Sequence, residues 1–169
     1  MQTNNSRLPR CFSYSVKSKT LTSALFCIDT AIVALFSLAY LALLIGTSLG
    51  FSLKEGLMVL VLGAVPFALV SVFRRFLDAP RPYQLYPEIP NTSGRVGRSM
   101  PSRHVFSAFL IASLYSAYSP FLALVLAAFG ACLGACRVLR GVHFVRDVVA
   151  GALIGVLSGA IGTIILIFL

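Results

Sequence analysis

Residues 137–168 read RVLRGVHFVRDVVAGALIGVLSGAIGTIILIF. Arg137, His143 and Asp147 come first, and an uncharged apolar run over 148–168 follows directly. That run has the roughly 20 residues needed to cross a bilayer core as a helix, so the polar cluster stands at the mouth of a membrane span. Four further apolar runs cover about 23–47, 57–73, 104–118 and 120–136. With 58% hydrophobic residues, 11% charged residues and a mean hydropathy of +0.91, the composition excludes an ordinary soluble domain. The expected fold is all-α: a polytopic membrane helix bundle of about five transmembrane helices. The third and fourth runs are short for a span, so their polar ends are expected to sink into the protein, where other helices satisfy them.

The domain organisation follows from the same pattern. Residues 1–22 carry Arg7, Arg10, Lys17 and Lys19 and form a basic N-terminal arm ahead of a single membrane domain over 23–169. The first apolar run is too long for a signal core and lacks a clear small-residue cleavage site, which makes it an uncleaved helix. Between the second and third runs, residues 78–100 hold Pro80, Pro82, Pro87, Pro90, Gly94 and Gly97. Neither helix nor strand is expected to persist there. A loop of that length in a compact domain is commonly functional, and both its ends carry candidate residues; it is read as the active-site loop.

Cys11, Cys27, Cys132 and Cys136 have no framework spacing. Cys132 and Cys136 share a helical face, and small apolar packing is the preferred role over a metal pair. Gly130-x3-Gly134 and Gly151-x3-Gly155-x3-Gly159 fit close helix packing.

Threading five spans alternately through a membrane places the end of the second, the start of the third, the end of the fourth and the start of the fifth on one face. Three groups of residues then meet: Arg74 with Arg81; Ser102, Arg103 and His104; and Arg137, His143 and Asp147. Ionisable residues at such depths are functional candidates. Phosphoryl transfer needs cationic donors on the nonbridging oxygens. Arg74, Arg81 and Arg137 supply them with a planar fork that stays charged when partly desolvated. Taken singly, each arginine would also serve as a membrane-edge anchor. No metal and no cofactor is required by this set.

His143 precedes Asp147 by four residues, so on a helix the carboxylate can hold the ring in one tautomer and leave the other nitrogen to attack phosphorus. His104 is placed to protonate the departing alkoxide. Ser102, at a helix start, suits either a cap or an anion contact, and the two are compatible. Asp29, within the first span, is expected to form a structural pair with an arginine of the loop or of the fourth apolar run.

The combined pattern resembles the signature of the type 2 phosphatidic acid phosphatase family over about residues 57–165. The first motif, a basic residue, six positions and Arg-Pro, is matched by Arg74, Arg81 and Pro82. The second, Pro-Ser-Gly-His, reads Pro101-Ser102-Arg103-His104, with arginine at the glycine position. The third is matched by Arg137, His143 and Asp147, with Cys136 where serine is usual. The resemblance implies a phospho-histidine on His143, oriented by Asp147. It further implies His104 as the acid and Arg74, Arg81, Ser102 and Arg137 as phosphate ligands. Arg103 is assigned to substrate binding, either at a second phosphate or at an anionic headgroup; pointing into the interface is the alternative.

The expected partners are a lipid phosphate and the bilayer, in the cell membrane. A net charge of +9 suits anionic lipid, and nucleic acid is not expected because no soluble module displays a basic groove; oligomeric state is left open. Of 14 lysines and arginines only Lys54 falls on the face away from the motifs. The positive-inside bias therefore favours a cytoplasmic site and biosynthetic monophosphates such as phosphatidylglycerophosphate, phosphatidic acid or a polyprenyl-linked phosphate. The alternatives are an outward-facing polyprenyl diphosphate phosphatase and a non-enzymatic lipid-binding or transport protein.

Overall fold

A computed structural model describes residue 12, residues 18–91 and residues 94–168. Most of the basic arm expected over 1–22 lies outside the described residues. The first helix, α1, begins at Lys19 and runs to Gly50, capped by Ser18, whose Oγ accepts from the Leu21 amide at 3.2 Å. It is followed by α2 (Leu53–Leu77), the short α3 (Pro82–Leu85), α4 (Arg103–Tyr115), α5 (Pro120–Leu139) and α6 (Val145–Ile167). Ser52 and Ser119 cap α2 and α5 in the same manner as Ser18, each accepting from an amide three residues on.

Four segments are long and apolar enough to cross a membrane: Thr20–Gly50, Leu53–Leu85, Pro120–Leu139 and Val145–Ile167. The fourth apolar run, expected to be short, is a full 20-residue helix because it continues through Arg137 to Leu139. The third is the exception, since α4 has 13 residues, a rise of about 20 Å, less than the roughly 30 Å of hydrocarbon. Its packing explains the tolerance. Large exposed apolar side chains such as Leu38, Phe73, Leu124 and Leu157 stud α1, α2, α5 and α6, and α4 contributes none. The other helices enclose α4, so its ends meet protein rather than lipid and need not reach water.

Close approach of α4 and α6 depends on glycine. A Cβ built on Gly155 would stand 2.5 Å from the Phe106 carbonyl oxygen, and one on Gly151 would stand 2.6 Å from that of Ser102. Only a bare backbone fits there, as the small-residue spacing suggested. At the end away from the motifs, Tyr118, between α4 and α5, donates to Glu55 Oε1 in the first turn of α2 at 2.8 Å.

Candidate active site

Each end of the loop between α2 and α4 is fastened by side chains. The expectation of no helix over 78–100 is corrected by α3, where Pro82 sits at the first helical position, the one place a helix accepts it readily. Gln84 Oε1 accepts from the Arg81 and Gly97 amides, both at 2.9 Å, and so clasps the two arms of the loop. Gly97 has φ +61 and a Cβ there would lie 2.4 Å from Asp78 Oδ1, so the turn requires glycine.

Two arginines complete the fastening. Arg74 donates to the carbonyls of Arg98 and Pro101. Arg81 Nε donates to the Gly97 carbonyl at 3.0 Å and Nη1 to that of Val142 at 3.4 Å. A guanidinium has five N–H donors, so each retains donors for another ligand.

These residues border a cavity of about 200 Å³ lined by Arg74, Arg81, Arg95, Arg103, Arg137, Arg140, His104 and His143, with Phe26, Asp29 and Val142. Six of the eight residues read from the sequence as site candidates therefore lie on one wall system. Ser102 and Asp147 do not line it. Ser102 Oγ is buried and makes no hydrogen bond among the described residues, so the hydroxyl does not cap α4. Asp147 is fully buried behind His143.

Asp29 does form the expected ion pair with the fourth run, in fact with two arginines: Arg137 Nε at 2.6 Å and Arg140 Nη1 at 2.8 Å. The pairing secures α1 to the end of α5. It also commits one edge of Arg137, leaving its remaining donors to the cavity.

His143 is 2% exposed. Its Nδ1 lies 3.2 Å from Ser99 Oγ and 3.8 Å from Asp147 Oδ2, and Ser99 in turn donates to Asp147 Oδ2. The Phe144 amide donates to the same carboxylate oxygen at 3.1 Å. Burial pushes the His143 pKa down to about 4, against the upward pull of Asp147 and with the help of Arg81 and Arg74. The ring is therefore neutral at ordinary pH. His104 is pushed down to about 3, again by burial first and then by Arg137, His143, Arg95 and Arg103.

Sequence reading missed Ser99, Arg95 and Arg140 as members of this site. Arg95 and Ser99 belong to the loop already singled out, but nothing in their spacing distinguishes them from its other polar residues. Arg140 stands three positions after Arg137, on the same helical end, and that periodicity was the available signal.

The cavity meets a second, larger cleft of about 440 Å³ between α1, α2 and α4, lined by apolar residues such as Val33, Phe36, Leu60 and Phe67. Arg103 and His104 border both.

Known proteins share the fold. The crystal structure of Aquifex aeolicus LpxE is similar, with a TM-score of 0.69 and 26% identity over 86% of this chain and 87% of that one. A PAP2 type phosphatidylglycerolphosphate phosphatase from Bacillus subtilis aligns with a TM-score of 0.58 and 22% identity, over 89% of this chain and 88% of that one, a likeness of fold. No curated protein matches. A family model described as PAP2 superfamily matches residues 54–167, which contain all eight candidate positions. The chain is an integral membrane phosphatase and belongs to the PAP2 superfamily.

Proposed function

We propose that the protein hydrolyses a phosphomonoester or diphosphate of a membrane lipid through a phospho-histidine, without a metal ion. One observation carries the reading: His143 lines the arginine cavity while its Nδ1 is turned to Ser99 and Asp147. Nε2 is the nitrogen left for phosphorus. Residues 23–169 then act as one catalytic domain, with 78–100 as its active-site loop.

In the first half-reaction Nε2 attacks the phosphorus and the bond to the lipid oxygen breaks. Arg74, Arg81 and Arg137 hold the three nonbridging oxygens, and Ser102 at the start of α4, whose buried Oγ makes no hydrogen bond among the described residues, is assigned as a further donor. His104 gives its proton to the leaving oxygen, and the lipid alcohol departs. A water then attacks the phospho-histidine, His104 takes a proton from it, and inorganic phosphate leaves with neutral His143 restored. The apolar cleft beside His104 accommodates the hydrocarbon portion, so the substrate enters from the bilayer.

Orientation is proposed from charge. The described lysines and arginines, except Lys54, lie at the site end of the bundle, which favours a cytoplasmic site and hence biosynthetic lipid monophosphates such as phosphatidylglycerophosphate or phosphatidic acid. A single cysteine at exposed Asn91 in a cysteine-free background tests this in intact cells: labelling by an impermeant reagent would place the site outside and favour polyprenyl diphosphate recycling.

The chemistry is tested by phosphate release from a panel of lipid phosphates in detergent. Turnover is expected to persist in chelator, to be inhibited by vanadate and to vanish in His143→Ala. Strict dependence on added magnesium, or activity surviving in that variant, contradicts the mechanism; absence of turnover with every lipid overturns the proposed substrate class.

A further inference from the structure

We propose that Arg103 forms a second anion subsite, and that the preferred lipid carries a second phosphoryl charge on the leaving-group side of the scissile phosphate. This rests on the phosphatase reading and narrows its substrate class. Either a lipid diphosphate or a phosphomonoester joined through a short linker to a phosphodiester presents that chemistry.

Position is the first support. Arg103 borders both the arginine cavity and the apolar cleft, so it stands where the polar head of a bound lipid passes into its hydrocarbon. It is also the chain neighbour of His104, the proposed donor to the leaving oxygen. A group bonded to that oxygen comes to Arg103 before it reaches the cleft.

Charge is the second. Six arginines line the smaller cavity, and the carboxylate at its wall, Asp29, is shared by Arg137 and Arg140. Asp147 lies behind His143. Among the described residues no carboxylate stands within ion-pair distance of Arg103. Burial, and then Arg95 and Arg75, lower its pKa, so the free site holds a guanidinium in a field of like charge. A phosphomonoester dianion compensates only part of this surplus.

Orientation is the third. The guanidinium carbon lies 5.8 Å from the centroid of the Phe67 ring on α2, a cation–π contact that holds the planar fork at the mouth of the cleft. Such a fork suits two phosphoryl oxygens at once. Arginine at the position where the family motif has glycine thereby gains a use.

The test compares matched lipids on the purified full-length protein: farnesyl diphosphate against farnesyl monophosphate, and phosphatidylglycerophosphate against phosphatidic acid. Wild type is expected to favour the two-phosphate member of at least one pair in kcat/KM. Arg103→Gly is expected to reduce that preference by about tenfold to a hundredfold, the range of one charge-assisted contact, and Arg103→Lys by less. Loss confined to the farnesyl pair identifies a diphosphate; loss confined to the other pair identifies the phosphodiester. An unchanged ratio in Arg103→Gly, whether both activities fall together or neither falls, overturns the subsite, as does a wild type with no such preference.

Thermal stabilisation by inorganic pyrophosphate relative to orthophosphate provides a readout independent of turnover. A protein inactive on all four lipids that prefers pyrophosphate through Arg103 would sink the proposed lipid substrates and keep the anion subsite. An active protein indifferent to Arg103→Gly in both measurements would do the reverse.

Discussion

Ser99 Oγ lies 3.2 Å from Nδ1 of His143 and gives its own proton to Asp147 Oδ2. A hydroxyl has one proton to donate, so toward the imidazole Ser99 can only accept. The network thus assigns the ring proton to Nδ1 and the lone pair to Nε2. Asp147, 3.8 Å from Nδ1, acts on the ring largely through this bridge.

Removing the bridge should slow the reaction while leaving the nucleophile in place. Ser99→Ala is expected to lower kcat by about tenfold, the worth of one buried hydrogen bond in a rate, with little change in KM. Steady-state kinetics with a lipid phosphate check this; a change in KM alone would point to a role in binding instead.

His104 and His143 should separate by leaving group. His104→Ala is expected to cost roughly 100-fold or more with an alkyl phosphate, in line with general acid catalysis, and far less with p-nitrophenyl phosphate, whose phenolate departs unprotonated. His143→Ala should be inactive on both. Equal losses in His104→Ala on the two substrates would remove its assignment as the acid.

Burial and the neighbouring arginines hold both imidazoles neutral, with pKa values of about 4 for His143 and about 3 for His104. A phosphate dianion among them favours the charged form and raises the His104 value. Binding of vanadate or inorganic phosphate should therefore take up a proton near neutral pH, seen by calorimetry as a heat that varies with the buffer's ionisation enthalpy. Stability has a related sign: between the ordinary histidine value near 6.5 and about 4 the unfolded chain binds more protons than the folded one. The folded state should lose stability as pH falls through that window and be insensitive to these groups above it, and His143→Asn should flatten the dependence of the melting temperature.

Helix packing makes a prediction away from the chemistry. Gly155→Ala would place a Cβ 2.5 Å from the backbone oxygen of Phe106, forcing α4 and α6 apart at a cost of about 1–3 kcal/mol. Gly46→Ala, with nothing within 4 Å of the new atom, should be neutral or slightly stabilising. Thermal unfolding of the two variants in one detergent provides the comparison.

Much of this was legible in the sequence because apolar length and the alternation of spans are strong signals. They determine which helix ends share a face, and hence that Arg74, His104 and His143 lie together. The pairing of Asp29 with the end of α5 was legible too, since a carboxylate inside a span demands a cation. The brevity of α4 was partly hidden: its apolar run reads as a short span, and only its enclosure by neighbours shows why it stops. Ser99 was not legible at all. Its role depends on how a loop of prolines and glycines folds back over α6, which Gln84 and two arginines decide through contacts distant along the chain.

Those two arginines couple order in the loop to occupancy of the cavity. Arg74 and Arg81 grip the carbonyls of Gly97, Arg98 and Pro101 while lining the same cavity as four other guanidinium groups. An anion that quenches their mutual repulsion strengthens the hold on that peptide segment, and by reciprocity the fastened segment strengthens the hold on the anion. A protease added to the detergent-solubilised enzyme should therefore nick residues 94–99 more slowly once vanadate is present.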